Sequence, residues 1–160
     1  MRERILYILA FFITLVLDQA TKFLVEMLFP LYHSRPIFGD VLRLTYIRNA
    51  GAAFGLSFGS PVVMFVIAVV VTGLIALMIV TGRFKSYGRM GKTALVMVLG
   101  GGVGNLIDRI RLGEVIDFID MGIGSYRWPV YNVADIFVTV GIAFLLYSYT
   151  FSEPSRDSSS

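Results

Sequence analysis

Four apolar stretches, each near the length of a bilayer crossing, leave this chain little choice of fold. Ile5 to Phe29 is apolar apart from Asp18, Gln19, Lys22 and Glu26, and Pro61 to Val80 carries no charge. Thr93 to Ile107 is shorter and rich in glycine, while Trp128 to Tyr149 contains Asp135. About 20 apolar residues suffice to cross the hydrocarbon core as a helix. With 56% hydrophobic and 16% charged residues and a mean hydropathy of +0.76, the chain has too little polar surface for a water-exposed globule. Its 160 residues hold four spans with short loops and no separate soluble domain. The expectation is a membrane all-α core: one integral membrane domain over residues 1–151, with spans at 5–29, 61–80, 93–109 and 128–149, and a polar, disordered tail over 152–160. The uncharged part of the third span reaches only ~22 Å, so it either runs on through Asp108 and Arg109 or sits in thinned bilayer.

Lysine and arginine set the expected orientation. The tract Arg83, Lys85, Arg89, Lys92 holds no acid, and Arg2 and Arg4 precede the first span. Both belong on the cytoplasmic side by the positive-inside rule, which puts both termini there and leaves the segments 30–60 and 111–127 outside. The basic balance, with a sequence pI near 9.3, follows from this topology, and no aromatic-interleaved basic stripe points to nucleic acid. The N-terminal run imitates a secretory signal, but no small-residue cleavage site follows it and Asp18, Lys22 and Glu26 recur at helical spacing, so it reads as a retained helix.

In the first outer segment, Asp40 to Arg48 alternates, with Leu42, Leu44 and Tyr46 on one face, as in a half-buried strand. Gly39-Asp40 suits a turn before it; Val115–Asp120 or Ser125–Trp128 could pair with it, and periodicity does not choose between them. Asn49-Ala-Gly-Ala-Ala-Phe-Gly55 has small residues that admit a close backbone neighbour, in a substrate-facing loop or a tight connection into the second span.

Polar groups recur at one depth. Asp18 and Asn105 lie ~20 Å and ~18 Å into their spans from the cytoplasmic end, and Asn132 and Asp135 lie ~6 Å and ~10 Å below the outer boundary if the fourth span starts at Trp128. Asp18 and Lys22 stand four apart, acid first, the favourable order for a helical ion pair, and are assigned to support. Asp108 and Arg109 suit a bilayer-edge anchor, and Arg109 suits equally a contact to a substrate carbonyl or a carboxylate. Glycines 100, 101, 102 and 104 follow no strand and precede no Lys-Ser/Thr, so close helix packing is expected, not a phosphate loop. His33 is the only histidine and has no partner at metal spacing; no metal and no cofactor are expected.

Asp117 and Asp135 stand out because ionisable groups at membrane depth are costly and mark function. With no cysteine, no HExxH and one remote histidine, peptide hydrolysis could use only Ser-Lys or paired carboxylates. Lys22 beside Asp18 stays charged and makes a poor base, whereas two desolvated carboxyls share one proton and supply acid and base together. Gly122 and Gly124 would let the segment 121–127 fold back and bring the two acids together. Residue types alone leave a proton-linked carrier as the alternative, since membrane acids mark both.

Five motifs, Asp18-Gln-Ala-Thr-Lys22, Arg48-Asn-Ala-Gly-Ala-Ala-Phe-Gly55, Gly104-Asn-Leu-Ile-Asp-Arg109, Val115-Ile-Asp-Phe118 and Tyr131-Asn-Val-Ala-Asp135, stand in an order that resembles bacterial lipoprotein signal peptidase, or signal peptidase II. The resemblance spans nearly all of the chain before the serine-rich tail; its one departure is Tyr131, where the family usually has Phe. It implies an aspartic endopeptidase of the inner membrane that cuts prolipoproteins before a diacylglyceryl-modified cysteine. It implies Asp117 and Asp135 as the catalytic dyad, Asn49, Gly51, Asn105, Arg109 and Asn132 as substrate-binding residues, and Asp18, Lys22 and Asp108 as support. The implied fold is four membrane helices with a small outer β-cradle and a short helix. The implied partners are lipid-modified precursors and membrane lipid, with the chain acting as a monomer. A proton-coupled transporter remains the rival reading, and a scaffold that binds lipidated peptides without cutting them is a third.

Overall fold

The computed structural model describes residues 2–53, 56–57, 60–84 and 87–151. Four helices dominate it: α1 (Arg2–Leu28), α2 (Pro61–Val80), α3 (Arg89–Leu112) and α4 (Val133–Phe151), each long and apolar enough to cross a membrane. Among the described residues there is no fifth helix; the short outer helix implied by the resemblance has no counterpart there, and the tail 152–160 lies outside them. α2 begins on Ser60, whose side chain accepts from the Val63 N–H, with Pro61 in the first turn where its missing donor costs nothing. α3 continues through Asp108 and Arg109 and stops at Gly113, whose left-handed backbone (φ 76°) lets its N–H reach the Arg109 carbonyl.

α3 is the central helix, packed against the other three. A Cβ at Gly101 would stand 2.7 Å from the Ala134 carbonyl of α4, and one at Gly104 would collide with the Asp18 carboxylate of α1. The glycines that resemble a phosphate loop only in number are therefore contact points between helices.

A four-stranded antiparallel sheet, in the order β1-β2-β5-β6, caps one end of the bundle: β1 (Ser34–Phe38), β2 (Leu42–Asn49), β5 (Val115–Ile123) and β6 (Tyr126–Arg127). Two short strands, β3 (Ala52–Ala53) and β4 (Leu56–Ser57), pair separately. Of the two candidate partners for β2, the segment from Val115 takes the place beside it, while Tyr126–Arg127 folds back on β5 through the turn at Gly124 (φ 58°). The face of the sheet bearing Tyr46, Ile116 and Phe118 packs on Val25 of α1. At roughly 1.5–3 kcal/mol per fully buried side chain, this cluster fixes the sheet on the bundle. The opposite face of β5 carries Val115 and Asp117, paired in register with Asn49 and Ile47.

The fourth helix starts at Val133, not Trp128. Residues 128–130 lie outside helix and strand and residue 131 forms an isolated bridge to Ile119, because the Pro129 ring restricts the residue before it and Asn132 serves as the cap. Asp135 thus lies in the first turn of α4, and counting its depth from Trp128 along a helix does not hold.

Candidate active site

Two elements deliver the two carboxyls. Asp117 comes from β5, 2% exposed, and Asp135 from the first turn of α4. A cavity of about 810 Å³ is lined by both, together with Asn49, Asn105 and Arg109. The fold-back of the segment 121–127 is the β5–β6 hairpin, so the glycine-permitted turn anticipated there is what brings the two acids to one cavity.

Asn132 is fully buried behind them and does not line the cavity. It lies between the two acids and bonds to both. Its Oδ1 accepts from the Asp135 N–H at 3.0 Å and its own N–H donates to Asp135 Oδ2 at 3.1 Å, a reciprocal cap on α4. Since an N–H can only donate, the Asn132 carbonyl must face it, which turns the amide Nδ2 toward Asp117 Oδ1, 2.7 Å away. Gly51 also leaves the cavity: its N–H donates to Asn49 Oδ1 at 3.1 Å, and a Cβ there would come 2.7 Å from the Met64 side chain. Its φ of 152° is one that other residues rarely adopt, so it shapes the loop that carries Asn49.

Asp117 accepts from two neutral amides, Asn49 Nδ2 at 2.9 Å and Asn132 Nδ2 at 2.7 Å. Burial, and then the Asp135 carboxylate, push its carboxyl up to about 7, against the amides that favour the charged form. Asp135 Oδ1 accepts from Asn105 Nδ2 at 3.0 Å.

Behind the cavity, Lys22 is buried, donates to Asp18 Oδ2 at 2.9 Å and Asn105 Oδ1 at 2.8 Å, and forms an ion pair with Asp108 Oδ2 at 2.8 Å. This sets the Asn105 amide, because a lysine that only donates must face its carbonyl, leaving Nδ2 for Asp135. Asp18 Oδ1 accepts the Ala134 N–H at 2.9 Å, beside Asp135, and Asp108 Oδ2 accepts the Ile116 N–H at 3.2 Å, beside Asp117. One ammonium thereby ties together the backbones that carry both acids. Gln19 joins the same group, with Nε2 within 3.0 Å of Asp18, 3.1 Å of the Gly104 carbonyl and 3.3 Å of Asp108. Sequence reasoning gave Gln19 no part, nor Trp128, Met121 and Tyr131, which line the cavity; a polar amide inside an otherwise apolar span was the available signal for Gln19.

His33 lies exposed near the β1 end of the sheet, and among the described residues no cluster of His, Cys, Asp or Glu has the arrangement of a metal site. The described buried acids and lysine, Asp18, Lys22, Asp108, Asp117 and Asp120, all lie at the sheet end of the molecule.

The profile of the family described as signal peptidase (SPase) II matches residues 10–151. The chain belongs to the signal peptidase II family. A lipoprotein signal peptidase of Syntrophus aciditrophicus is 42% identical to this family member over 147 residues, 89% of this chain and 90% of that protein. One from Anoxybacillus flavithermus is 40% identical over 155 residues, 97% of this chain and 90% of that protein. Two bacterial membrane enzyme structures determined by the in meso method, at 2.3 and 1.9 Å resolution, superpose with TM-scores of 0.79 and 0.78, each at 28% identity. They cover 90% and 92% of this chain, and 87% and 94% of their own. The five ordered motifs thus lie within a family match, and the four helices with a small antiparallel sheet agree with the expected architecture.

Proposed function

We propose that this family member removes the signal peptide from diacylglyceryl-modified prolipoproteins, cutting before the lipidated cysteine by an aspartic mechanism on Asp117 and Asp135. The observation that carries the mechanism is the pair of carboxyls on one cavity, braced by a single buried amide, with Asp117 pushed up to about 7. Two carboxyls on one cavity can share a proton and so supply acid and base together. Asp117, carrying it, hydrogen-bonds the scissile carbonyl oxygen while Asp135 takes a proton from water. The water oxygen bonds to the carbonyl carbon, the Asp117 proton passes to the carbonyl oxygen, and a neutral gem-diol stands between Asp117 carboxylate and Asp135 acid. Asp135 then protonates the leaving nitrogen, the C–N bond breaks, and the gem-diol returns a proton to Asp117. The resting state is restored with no net gain or loss of protons.

Asn49, Arg109 and Asn105 supply donors on the cavity wall for the peptide's carbonyls, while Asn132, Asp18, Lys22 and Asp108 hold the site in shape. Residues 1–151 act as one protease domain. Arg89 pairs with Glu3 at 2.9 Å, which brings the N-terminus and the basic tract to the end away from the sheet. By the positive-inside rule that end is cytoplasmic, so both termini lie inside and the cavity opens near the outer face. A substrate anchored by acyl chains in the outer leaflet meets it there without lifting those chains into water. The protein works on this substrate as a monomer in contact with membrane lipid.

The test is conversion of a lipidated precursor by purified protein in detergent, for the parent and for Asp117→Asn and Asp135→Asn. Each substitution is expected to lower turnover by about 10³-fold or more while the helices remain folded. Parental turnover in either variant removes the dyad; binding without turnover in the parent removes the protease.

A further inference from the structure

The outer wall of the cavity is not held by burial. Ile123, Tyr126 and Trp128, on or next to the β5–β6 hairpin, line the cavity, yet they are 72%, 88% and 60% exposed. Side chains so open gain little from the protein's own core, and beyond Gly122 the hairpin leaves β2 and has only its own two strands as ladder partners. A polar device must fix its place.

Arg127 has that geometry. Its Nε donates to Asp120 Oδ1 at 2.6 Å and its Nη2 to the Asp120 carbonyl at 3.1 Å. Its Nη1 donates to the Asp40 carbonyl at 3.0 Å and lies 3.6 Å from Asp40 Oδ1. The planar fork therefore spans β5 and the turn between β1 and β2, which a point-charge ammonium does not do. Both acids are themselves anchored. Asp120 is buried and accepts the Thr45 hydroxyl at 2.8 Å; Asp40 pairs with Arg43 and accepts the Gly124 N–H from the hairpin tip at 2.6 Å. These bonds hold the Asp40 carboxyl below the usual carboxylate range, Gly124 first and Arg43 next. The Arg127 backbone and stem also lie against Gly122, where a Cβ would come 2.6 Å from the Arg127 Cα. None of the hydrogen bonds in this group reaches Asp117 or Asp135.

We infer that Arg127, gripping Asp40 and Asp120, is a positioning residue that holds the β5–β6 hairpin as the outer wall of the substrate cavity and so sets how tightly the precursor binds. The inference rests on the reading of this cavity as the precursor's binding site. Because the clasp does not touch the reacting atoms, its loss acts on binding of substrate and transition state alike, which raises KM and spares kcat. The chain has one tryptophan, Trp128, next to Arg127, so its fluorescence reports the wall directly.

The experiment measures cleavage of a lipidated precursor and acrylamide quenching of Trp128 for the parent, Arg127→Gln, Arg127→Lys, Asp120→Asn and the control Asp117→Asn. For Arg127→Gln, KM is expected to rise about tenfold with kcat within about twofold, and quenching to increase. Arg127→Lys should recover part of the KM because it keeps the charge but not the fork. Asp120→Asn, a milder loss of the same pair, keeps the test available if Arg127→Gln does not fold, and should raise KM less. Parental KM and parental quenching in both Arg127→Gln and Asp120→Asn would overturn the clasp, as would a fall in kcat alone. A parent without turnover would instead count against the protease reading, while the quenching comparison still judges the clasp.

Discussion

Four of the aspartates at the sheet end of this molecule, those around and behind the cavity, are divided by their partners into two pairs. Asp18 and Asp108 share the Lys22 ammonium, at 2.9 and 2.8 Å. Asp117 and Asp135 accept from asparagine side-chain amides, at 2.7 to 3.0 Å, and Asp135 also from the Asn132 backbone N–H at 3.1 Å. The residue type is the same and the depth is similar, but a full opposite charge sits between the first pair, while Asp117 of the second meets neutral donors, its own burial and the neighbouring Asp135 carboxylate. A buried acid whose proton is to move must be hydrogen-bonded without being neutralised. The inner pair shows what neutralisation is for: it fixes the backbones at Ala134 and Ile116, one residue away from each acid of the outer pair.

The comparison breaks first at Lys22. Lys22→Met strands two buried carboxylates, and losing one partner of such a group costs roughly 3–5 kcal/mol. A large drop in thermal stability in detergent is expected, partly recovered by adding Asp108→Asn, which removes one of the stranded charges. Unchanged melting would mean that the inner pair is not held by its cation.

Asn132→Ala sharpens the comparison from the other side, because that amide touches both outer acids and neither inner one. It removes a helix cap, about 1 kcal/mol of stability, and lets the two acids drift, where a misplacement of about 1 Å costs on the order of 10² in rate. Precursor cleavage should therefore fall far more than melting temperature does. Equal losses in both would reduce Asn132 to a cap.

Much of this was legible in the sequence, unevenly. Hydropathy marked the helices because lipid imposes it residue by residue, and the i,i+4 spacing of Asp18 and Lys22 announced their pairing. The second acid on Lys22 was hidden, since Asp108 stands on another helix and only the close approach at Gly104 brings it near. The start of α4 was misplaced because Trp128 and Val130 are as apolar as the helix that follows, and hydropathy does not register that Pro129 and the Asn132 cap set a boundary. Residue type likewise does not tell a cavity wall from a side chain one layer behind it, which is where Asn132 lies. Arg127 gave no signal at all, because an arginine in an outer segment reads as solvated until its two acids are placed around it.

The dependence of kcat on pH for the unaltered enzyme tests the central claim most directly. Asp117, raised to about 7 by burial and by Asp135, must carry a proton to assist the carbonyl, and that proton is lost as pH rises through this value. Activity is expected to be retained below it and to fall about tenfold per pH unit on the alkaline side, from roughly pH 7 to 8 upward. A kcat that stays level from neutrality to about pH 10 would mean that no proton on these carboxyls takes part, and would contradict the shared-proton dyad.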